Sequence, residues 1–224
     1  MKIEQLETLE EIRDAWGGLD PEDRIRLFRK LPRNQREDLF LDLSSPDQAE
    51  LLLTMPEHER RTYLRVLPPD DAADVVQEAP DEDRELLLNL LDYAGRREVA
   101  ALLMFAEDEA GGLMNPRFAR LRPDMTVDEA IQYLRFQGRQ METVYYAYVL
   151  DNQQRLQGVV SFRDLFSAAG GSRVRDIMFR EPVSVTDDTD QEEVARLFST
   201  SGLLAIPVVD DDNQPVASVR ASYA

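Results

Sequence analysis

The stretch from Leu31 to Leu90 decides the first half of the fold, because it divides into five blocks of twelve residues: LPRNQREDLFLD, LSSPDQAELLLT, MPEHERRTYLRV, LPPDDAADVVQE and APDEDRELLLNL. Each block opens with an apolar residue, and the same interval continues beyond both ends of the stretch. The residues at this interval are Leu19, Leu31, Leu43, Met55, Leu67, Ala79 and Leu91. A fixed period of this kind is typical of a repeat protein.

A second apolar pair follows the repeating residue after eight and nine positions, which places one apolar stripe on a short helix. The pairs are Leu27-Phe28, Leu39-Phe40, Leu51-Leu52, Tyr63-Leu64, Val75-Val76 and Leu87-Leu88. Pro32, Pro56, Pro68 and Pro80 directly follow the repeating residue, where we expect the first turn of a helix. No single unit can bury its stripe alone, so the pattern predicts units that stack into an α-helical superhelix. We expect a longer helix from about Arg96 to Glu109 to follow.

The chain is strongly acidic, since its 224 residues include 26 Lys and Arg against 44 Asp and Glu, a formal net charge of −18. Of these, 14 basic and 28 acidic residues precede Gly111, so most of the acidic excess lies in the first half. Such a surface repels phosphate backbones, which argues against a nucleic-acid partner. Self-repulsion favours the binding of divalent cations, and the structural alternative is a solvated acidic surface.

The residue types present exclude most enzyme chemistry. Cysteine is absent and His58 is the only histidine, which excludes disulfides, thiolate chemistry and a zinc site. We find no nucleophile–base pair and no glycine loop that could hold a phosphate, so we expect no enzyme. No apolar run reaches the roughly 18 residues that a membrane helix needs, and the acidic segment from Met1 to Glu11 does not resemble a signal peptide. We therefore expect a cytoplasmic protein.

After Gly111-Gly112, which we interpret as a helix breaker and hinge, short β runs alternate with helical patterns. The first pass contains VYYAYVL (144–150), a turn at Asp151-Asn152, a strand over 157–161 and a helix that begins near Arg163. The recurring segments are Met114 to Pro116 with Met178 to Pro182, Thr126–Gln137 with Thr189–Ser201, Val149 to Asp151 with Val208 to Asp210, and Gly158 to Val160 with Ala217 to Val219. This repetition predicts two β-α-β-β-α modules that pair face to face.

The segments YYAYVLD (145–151) and LQGVVSFRDL (156–165) resemble a cystathionine-β-synthase (CBS) domain. The linker EDEAGGLM (107–114), the stretch DTDQEEVAR (188–196) and the acidic repeat together resemble the cytosolic half of the MgtE family of magnesium channels, over essentially the whole chain. The resemblance implies an α + α/β fold. An N-terminal superhelix of short α-helices would occupy residues 1–110, with CBS domains over 111–172 and 173–224 and the second incomplete at its C-terminus.

The resemblance also implies a function. The chain would be a cytosolic Mg²⁺-sensing region in which Mg²⁺-dependent closure of the N domain on the CBS pair gates a membrane pore that the chain lacks. It would form a homodimer through the CBS domains at the cytosolic face of the inner membrane. The end at Ala224, before the closing helix of the second CBS module, fits either a fragment of a longer protein or a regulator that has lost its membrane part.

Several carboxylates share one face of a predicted helix that begins after Pro68-Pro69, and they belong to Asp70, Asp71 and Asp74. Like charges at these spacings destabilise a helix unless something neutralises them. Oxygen ligands without His or Cys suit Mg²⁺, although helix capping is an alternative role for the first two residues. In the MgtE family, the matching positions and that of Asp38 belong to the Mg²⁺-sensing surface.

A second acidic group precedes a helix near residue 190. Asp190 and Glu192 match acidic positions around the Mg²⁺ sites of the family's CBS domains, and helix capping is again the alternative. Gly202 and Tyr223 stand where the family often has an aspartate, so we expect fewer or weaker sites than the family pattern implies.

The pattern Gly158-x-x-Ser161-x-x-Asp164 matches the ribose-binding motif of CBS domains and gives an alternative function, the sensing of ATP or another adenine nucleotide. Asp164 would accept hydrogen bonds from ribose hydroxyls. The other expected contacts are Arg163 for phosphate and Tyr146, Leu203 and Ile206 for the base. The structural alternative is that Ser161 and Asp164 only cap a helix. A third candidate function is a protein-interaction scaffold, since the MgtE N domain resembles helical flagellar motor switch proteins.

Overall fold

The computed structural model describes residue 6 and residues 8–138, 141 and 145–221. The chain divides into two compact units, Met1–Ala100 and Ala101–Ala224. This division falls before Gly111-Gly112, the pair at which we expect the domain boundary. None of the helices in the described ranges is long and apolar enough to cross a membrane.

The first unit is an array of short helices. They are α1 (Leu9–Ala15), α2 (Pro21–Lys30), α3 (Arg33–Asp42), α4 (Ser45–Thr54), α5 (Glu57–Leu64), α6 (Pro69–Glu78), α7 (Asp81–Leu90) and α8 (Tyr93–Leu102), with a 3₁₀ turn at Trp16–Gly18. From α2 onwards each helix begins twelve residues after the one before, which confirms the helical repeat.

The helices end where the repeating apolar residue adopts an extended backbone. Leu31, Leu43, Met55 and Leu91 have ψ angles between 146° and 157°, and each N–H donates to the carbonyl three residues earlier. Pro32, Pro56, Pro68 and Pro80 occupy the N-cap position of the next helix rather than its first turn. Because a proline disfavours helical conformation in the residue before it, these prolines also end the preceding helix.

Side chains at one position of the repeat bond to carbonyl groups at the C-terminal ends of preceding helices. The bonds run from Arg24 Nε to the Trp16 carbonyl at 3.2 Å, from Gln48 Nε2 to the Phe40 carbonyl at 2.7 Å and from Arg60 Nε to the Leu52 carbonyl at 2.9 Å. Each donor lies eight residues after its acceptor. The last carbonyls of a helix have no partner within it, so these side chains replace the missing hydrogen bonds.

The predicted apolar pairs form the core of the first unit. Leu27, Leu39 and Leu52 are fully buried. The ring of Tyr63 packs against Phe40 and Phe28, with centroid distances of 5.0 and 5.7 Å. This packing joins residues of α2, α3 and α5 into one apolar layer.

The helix that we expected from about Arg96 to Glu109 is placed differently, since α8 ends at Leu102. The chain turns there through hydrogen bonds to the third residue before, such as the 3.0 Å bond from the Phe105 N–H to the Leu102 carbonyl. Gly111 and Gly112 then pack closely within the second unit. A Cβ on Gly112 would lie 2.5 Å from the Ala106 carbonyl oxygen, so the pair permits a close approach of backbone to backbone.

The second unit contains two sheets of three strands. One has the order β2 (Ala119–Leu121), β3 (Tyr146–Leu150), β4 (Leu156–Ser161), and the other has β1 (Met114–Asn115), β6 (Pro215–Arg220), β5 (Ala205–Val209). The helices are α9 (Val127–Gln137), α10 (Phe162–Ser167), α11 (Val174–Ile177) and α12 (Gln191–Ser201). β2 and β3 are parallel, whereas the β3–β4 and β5–β6 pairs are antiparallel.

The turns after β3 and β5 show the predicted duplication in atomic detail. Asp151 accepts hydrogen bonds from the N–H groups of Gln153 and Arg155, and Asp210 accepts equivalent bonds from Asp212 and Gln214. The N–H donated by Arg155 is the largest cause of a lowered pKa of the Asp151 carboxyl. Both turns include a residue with a positive φ, 64° at Gln154 and 60° at Asn213.

Candidate functional site

A mostly apolar cleft of about 220 Å³ opens within the second unit. Its walls come from β3, β4, the segment after α11, the end of α12 and β5. The lining residues are Tyr146, Tyr148, Val159, Phe179, Pro182, Val183, Ser201, Leu203, Ala205 and Pro207. A space of this size and apolar character suits a planar ring system.

Strand register explains which side chains of the first sheet face the cleft. Tyr146 lies opposite Ser161 and Tyr148 lies opposite Val159, and directly opposed residues of an antiparallel pair share a face. The other face of the sheet carries Ala147 and packs on the apolar side of α9 and α10. Ser161 therefore lies at the end of the strand face that lines the cleft.

Ser161 and Asp164, the two residues of the predicted ribose motif, contact each other. Ser161 is the N-cap of α10, and its Oγ accepts a hydrogen bond of 3.0 Å from the Asp164 N–H. The Ser161 hydroxyl donates to Asp164 Oδ2 at 2.6 Å. The capping role is thus present, and the exposed Asp164 carboxylate keeps a second oxygen that could accept from a ligand. Arg163 is also exposed beside the pair.

Of the three residues expected to flank a base, two line the cleft and one lies in the core. Leu203 and Tyr146 line the cleft, whereas Ile206 is fully buried. Strand alternation in β5 turns Ala205 and Pro207 towards the cleft and Ile206 away from it. The structure therefore corrects the expectation for Ile206, because a base in this cleft would meet its two neighbours instead.

Several lining residues were not identified from the sequence. Phe179, Pro182 and Val183 reach the cleft because the segment after α11 pairs with β4 through two bonds between Phe179 and Val159, of 2.8 and 2.9 Å. A Cβ on Gly158 would lie 2.5 Å from the Phe179 carbonyl oxygen. The motif glycine therefore permits the close approach that forms this wall, and it was the one sequence signal that could have indicated the contact.

One buried hydrogen bond links the two sheets beside the cleft. The Tyr148 hydroxyl and Ser218 Oγ lie 2.6 Å apart, and both residues are buried. Burial raises the pKa of Tyr148, so its hydroxyl is protonated at neutral pH. Ser218 Oγ also lies 3.4 Å from the Ile206 carbonyl oxygen.

The predicted Mg²⁺ residues of the first unit lie on α6 and α3. Asp70 is 2% exposed, Asp71 and Asp74 are half-buried, and Asp38 is exposed. Asp70, Asp71 and Asp74 each take part in a polar or electrostatic interaction. Asp70 is therefore part of the packed interior, whereas Asp38 is the most accessible of the four carboxylates.

The predicted residues of the second unit lie at the start of α12. Asp190 is its N-cap and accepts a 2.8 Å bond from the Glu192 N–H, and the Glu192 side chain is exposed. Gly202, one of the two departures from the family pattern, ends this helix with a left-handed φ of 66°. Tyr223, the other, lies outside the described residues. In the part of the chain that the structure describes, no three acidic or histidine side chains form a group that could hold a metal ion.

A helical repeat region followed by two α/β modules with a mostly apolar cleft defines a protein of the CBS-pair class. The family model of the MgtE intracellular N domain matches residues 8–108, and that of the CBS domain matches residues 110–171 and 174–222. The crystal structure of the cytosolic domain of the Mg²⁺ channel MgtE in complex with ATP has a TM-score of 0.87 and 39% identity, covering 99% of this chain and 90% of that chain. The chain belongs to the MgtE family, as an N domain followed by a CBS pair. This confirms the expected family and fold class.

Two further relatives agree with this assignment. The crystal structure of the soluble part of a magnesium transporter has a TM-score of 0.75 and 26% identity, covering 96% of this chain and 90% of that chain. The magnesium transporter MgtE of Thermus thermophilus is 47% identical over 133 residues, which are 59% of this chain and 30% of that protein. The matches span only 26% to 30% of the length of the curated MgtE relatives. The family is thus that of a transporter's regulatory domain and not of an enzyme.

Proposed function

We propose that the chain is the Mg²⁺-sensing regulatory region of an MgtE-type magnesium transporter and acts on a membrane pore. The observation that carries the proposal is the similarity along 99% of the chain to the cytosolic domain of a protein described as a Mg²⁺ channel. The strong negative charge of the chain gives the physical basis, because accumulated carboxylates attract divalent cations. At low Mg²⁺ the acidic surfaces repel each other, and at high Mg²⁺ bridging ions hold the N domain against the CBS pair.

The proposed ligands are carboxylates on the two units. Asp38, Asp71 and Asp74 would act on the first unit, with buried Asp70 supporting them, and Asp190 and Glu192 would act on the second. Mg²⁺ keeps several waters and needs one or two carboxylates from each surface, so a complete cage within either unit is unnecessary. Small-angle scattering with Mg²⁺ against NaCl at matched ionic strength tests this proposal, and equal responses to the two salts would contradict it.

We also propose that the cleft of the second unit binds an adenine nucleotide. The similar cytosolic domain of the Mg²⁺ channel MgtE, whose crystal structure is in complex with ATP, supports this ligand class. Tyr146 and Leu203 would hold the base, Asp164 would accept from ribose hydroxyls, and exposed Arg163 would meet phosphate. Ser161 orients the Asp164 carboxylate through their 2.6 Å hydrogen bond. Calorimetric titration with ATP tests this function, and the absence of binding at millimolar ATP would contradict it.

A homodimer through the CBS domains is part of the proposal. Phe136 on α9 is 87% exposed and Phe166 on α10 is 66% exposed, so the second unit has large aromatic side chains on its surface. Apolar groups of this size are often covered by a partner. Sedimentation velocity should show a dimer that Phe136→Ser weakens, and a monomer at all protein concentrations, with or without Mg²⁺, would contradict it.

A further inference from the structure

A separate cleft of about 240 Å³ lies in the first unit, between the first turn of α3 and the face of α5. Its lining residues are Arg33, Arg36, Glu37, His58, Glu59, Thr62 and Tyr63. None of these residues is among the carboxylates proposed to bind Mg²⁺, and none lines the cleft of the second unit. The cleft combines two arginines with two glutamates, so its formal charge is balanced within the more acidic half of the chain.

Two arginines of this cleft lack the partners that other arginines of the unit have. Within the described ranges, Arg33 and Arg36 form no ion pair, whereas Arg24 pairs with Asp47 at 2.5 Å and Arg61 with Glu57 at 2.9 Å. Arg36 also occupies the repeat position at which Arg24 and Arg60 donate to a carbonyl. Its Nε is buried and has no hydrogen-bond partner in the structure.

Tyr63 adds a third donor to the cleft. The side chain is only 7% exposed, because its ring packs between Phe28 and Phe40. In the described part of the chain its hydroxyl has no hydrogen-bond partner, although the residue lines the cleft. Burial raises the pKa of Tyr63, and the nearby Arg36 opposes that rise. The hydroxyl is thus protonated at neutral pH and can donate.

We propose that this cleft binds an oxyanion, either a carboxylate or a phosphoryl group, of a small ligand. Guanidinium groups bind both kinds of oxyanion in a bidentate manner, and a hydroxyl donor supplements them. The cleft also includes the first turn of α3, where the helix dipole favours negative charge and no side chain caps the backbone N–H groups. Glu37 and Glu59 limit the anionic part to one small group, since a second negative group would be repelled.

The only histidine provides a selective probe for the test. His58 lies at the mouth of the cleft with its side chain 81% exposed, so its ring resonances report on this site alone. The chain is titrated with inorganic phosphate, acetate and chloride at constant pH and ionic strength while the His58 Cε1–H shift is followed by NMR. We expect a saturable shift with phosphate or acetate and none with chloride.

Variants distinguish a built site from general charge attraction. Arg36→Gln should weaken binding about tenfold, since it removes a charge-assisted hydrogen bond, and Tyr63→Phe should weaken it several-fold. Arg26→Gln removes the same charge from α2 and should change nothing. Tyr63→Phe keeps the packed ring, so it tests the proposal even if Arg36→Gln fails to fold.

Each outcome decides one point. Saturation by phosphate alone assigns a phosphoryl ligand, and saturation by acetate assigns a carboxylate. Linear shifts that equal those with chloride, or equal binding by wild type, Arg36→Gln and Tyr63→Phe, would overturn the proposal.

Discussion

The hydrogen bond between Tyr148 and Ser218 should make an asymmetric contribution to the stability of the second unit. The two residues lie on different sheets, and their oxygens are 2.6 Å apart in a buried environment. Ser218→Ala leaves the Tyr148 hydroxyl buried without this partner, which costs about 1–3 kcal/mol. Tyr148→Phe leaves Ser218 with the Ile206 carbonyl at 3.4 Å, so we expect the lower cost of about 0.5–1.5 kcal/mol.

A double-mutant cycle separates this bond from the effects of each substitution. We expect a coupling free energy of about 1 kcal/mol between the two positions, because they form one directly bonded pair. Hydrogen–deuterium exchange of peptides from β3 and β6 measures the free energy of opening of the second unit. Fluorescence of Trp16, which is buried in the first unit, is the internal control and should show an unchanged unfolding midpoint. Additive effects of the two substitutions, or a larger cost for Tyr148→Phe, would refute the reasoning.

Three further variants test other parts of the structure. Asp164→Ala should abolish ATP binding in calorimetry yet leave the melting temperature unchanged, because the α10 cap uses Ser161 Oγ and the backbone N–H of residue 164. Asp211→Ala is the matched control, and ATP binding retained by the Asp164 variant would contradict the site. Gly112→Ala should destabilise the second unit by about 1–3 kcal/mol in urea unfolding, since its Cβ would clash with the Ala106 carbonyl. Gly17→Ala, which has open space around it, should not be destabilising, and equal effects of the two variants would count against the packing role of Gly112. Arg60→Met should lower the free energy of unfolding by about 1–3 kcal/mol, because three carbonyls lose their donor. Exposed Arg61→Met should lower it by at most about 0.5 kcal/mol, and the reverse order would be inconsistent with the role of Arg60 in the repeat.

The repeated elements of the fold were predictable because they follow apolar spacing. The twelve-residue interval gives the start of every helix from α2 to α8, and the duplicated segments give the paired strands β3–β4 and β5–β6. These features depend on burial, which periodic apolar residues report directly. The prediction of a long helix after Arg96 was wrong, since the chain turns after Leu102 and packs its own backbone closely against Gly112. Such a tertiary contact leaves no apolar period in the sequence.

The candidate cleft was only partly predictable. Tyr146 and Leu203 were named from the motif, but Phe179 and Val183 enter the cleft through a backbone pairing with β4 that no local spacing indicates. All five residues of β5 are apolar and buried, so the sequence pattern does not distinguish the strand face that lines the cleft from the face that carries Ile206. Hydrogen bonds from Arg24 and Arg60 to helix ends were also missed, because polar donors lie outside the apolar pattern.

The proposed Mg²⁺-dependent closure is the central functional claim. A ligand that binds only the folded, closed form stabilises it by mass action, by about 1.4 kcal/mol at ten times its dissociation constant. Asp70 is buried, so its replacement would cost stability with or without metal. Asp38→Asn, Asp71→Asn and Asp74→Asn combined are therefore the sharper test, because amides keep the side-chain size and remove the charge.

Small-angle scattering of the wild-type chain during a Mg²⁺ titration, with NaCl at matched ionic strength as the control, tests this claim most directly. We predict that millimolar Mg²⁺ lowers the radius of gyration in a saturable manner, that NaCl does so less because screening cannot bridge two surfaces, and that the triple Asn variant loses the Mg²⁺-specific part. Equal changes with Mg²⁺ and NaCl would contradict the sensor function. A Mg²⁺-specific change that the triple variant retains would contradict the assignment of Asp38, Asp71 and Asp74.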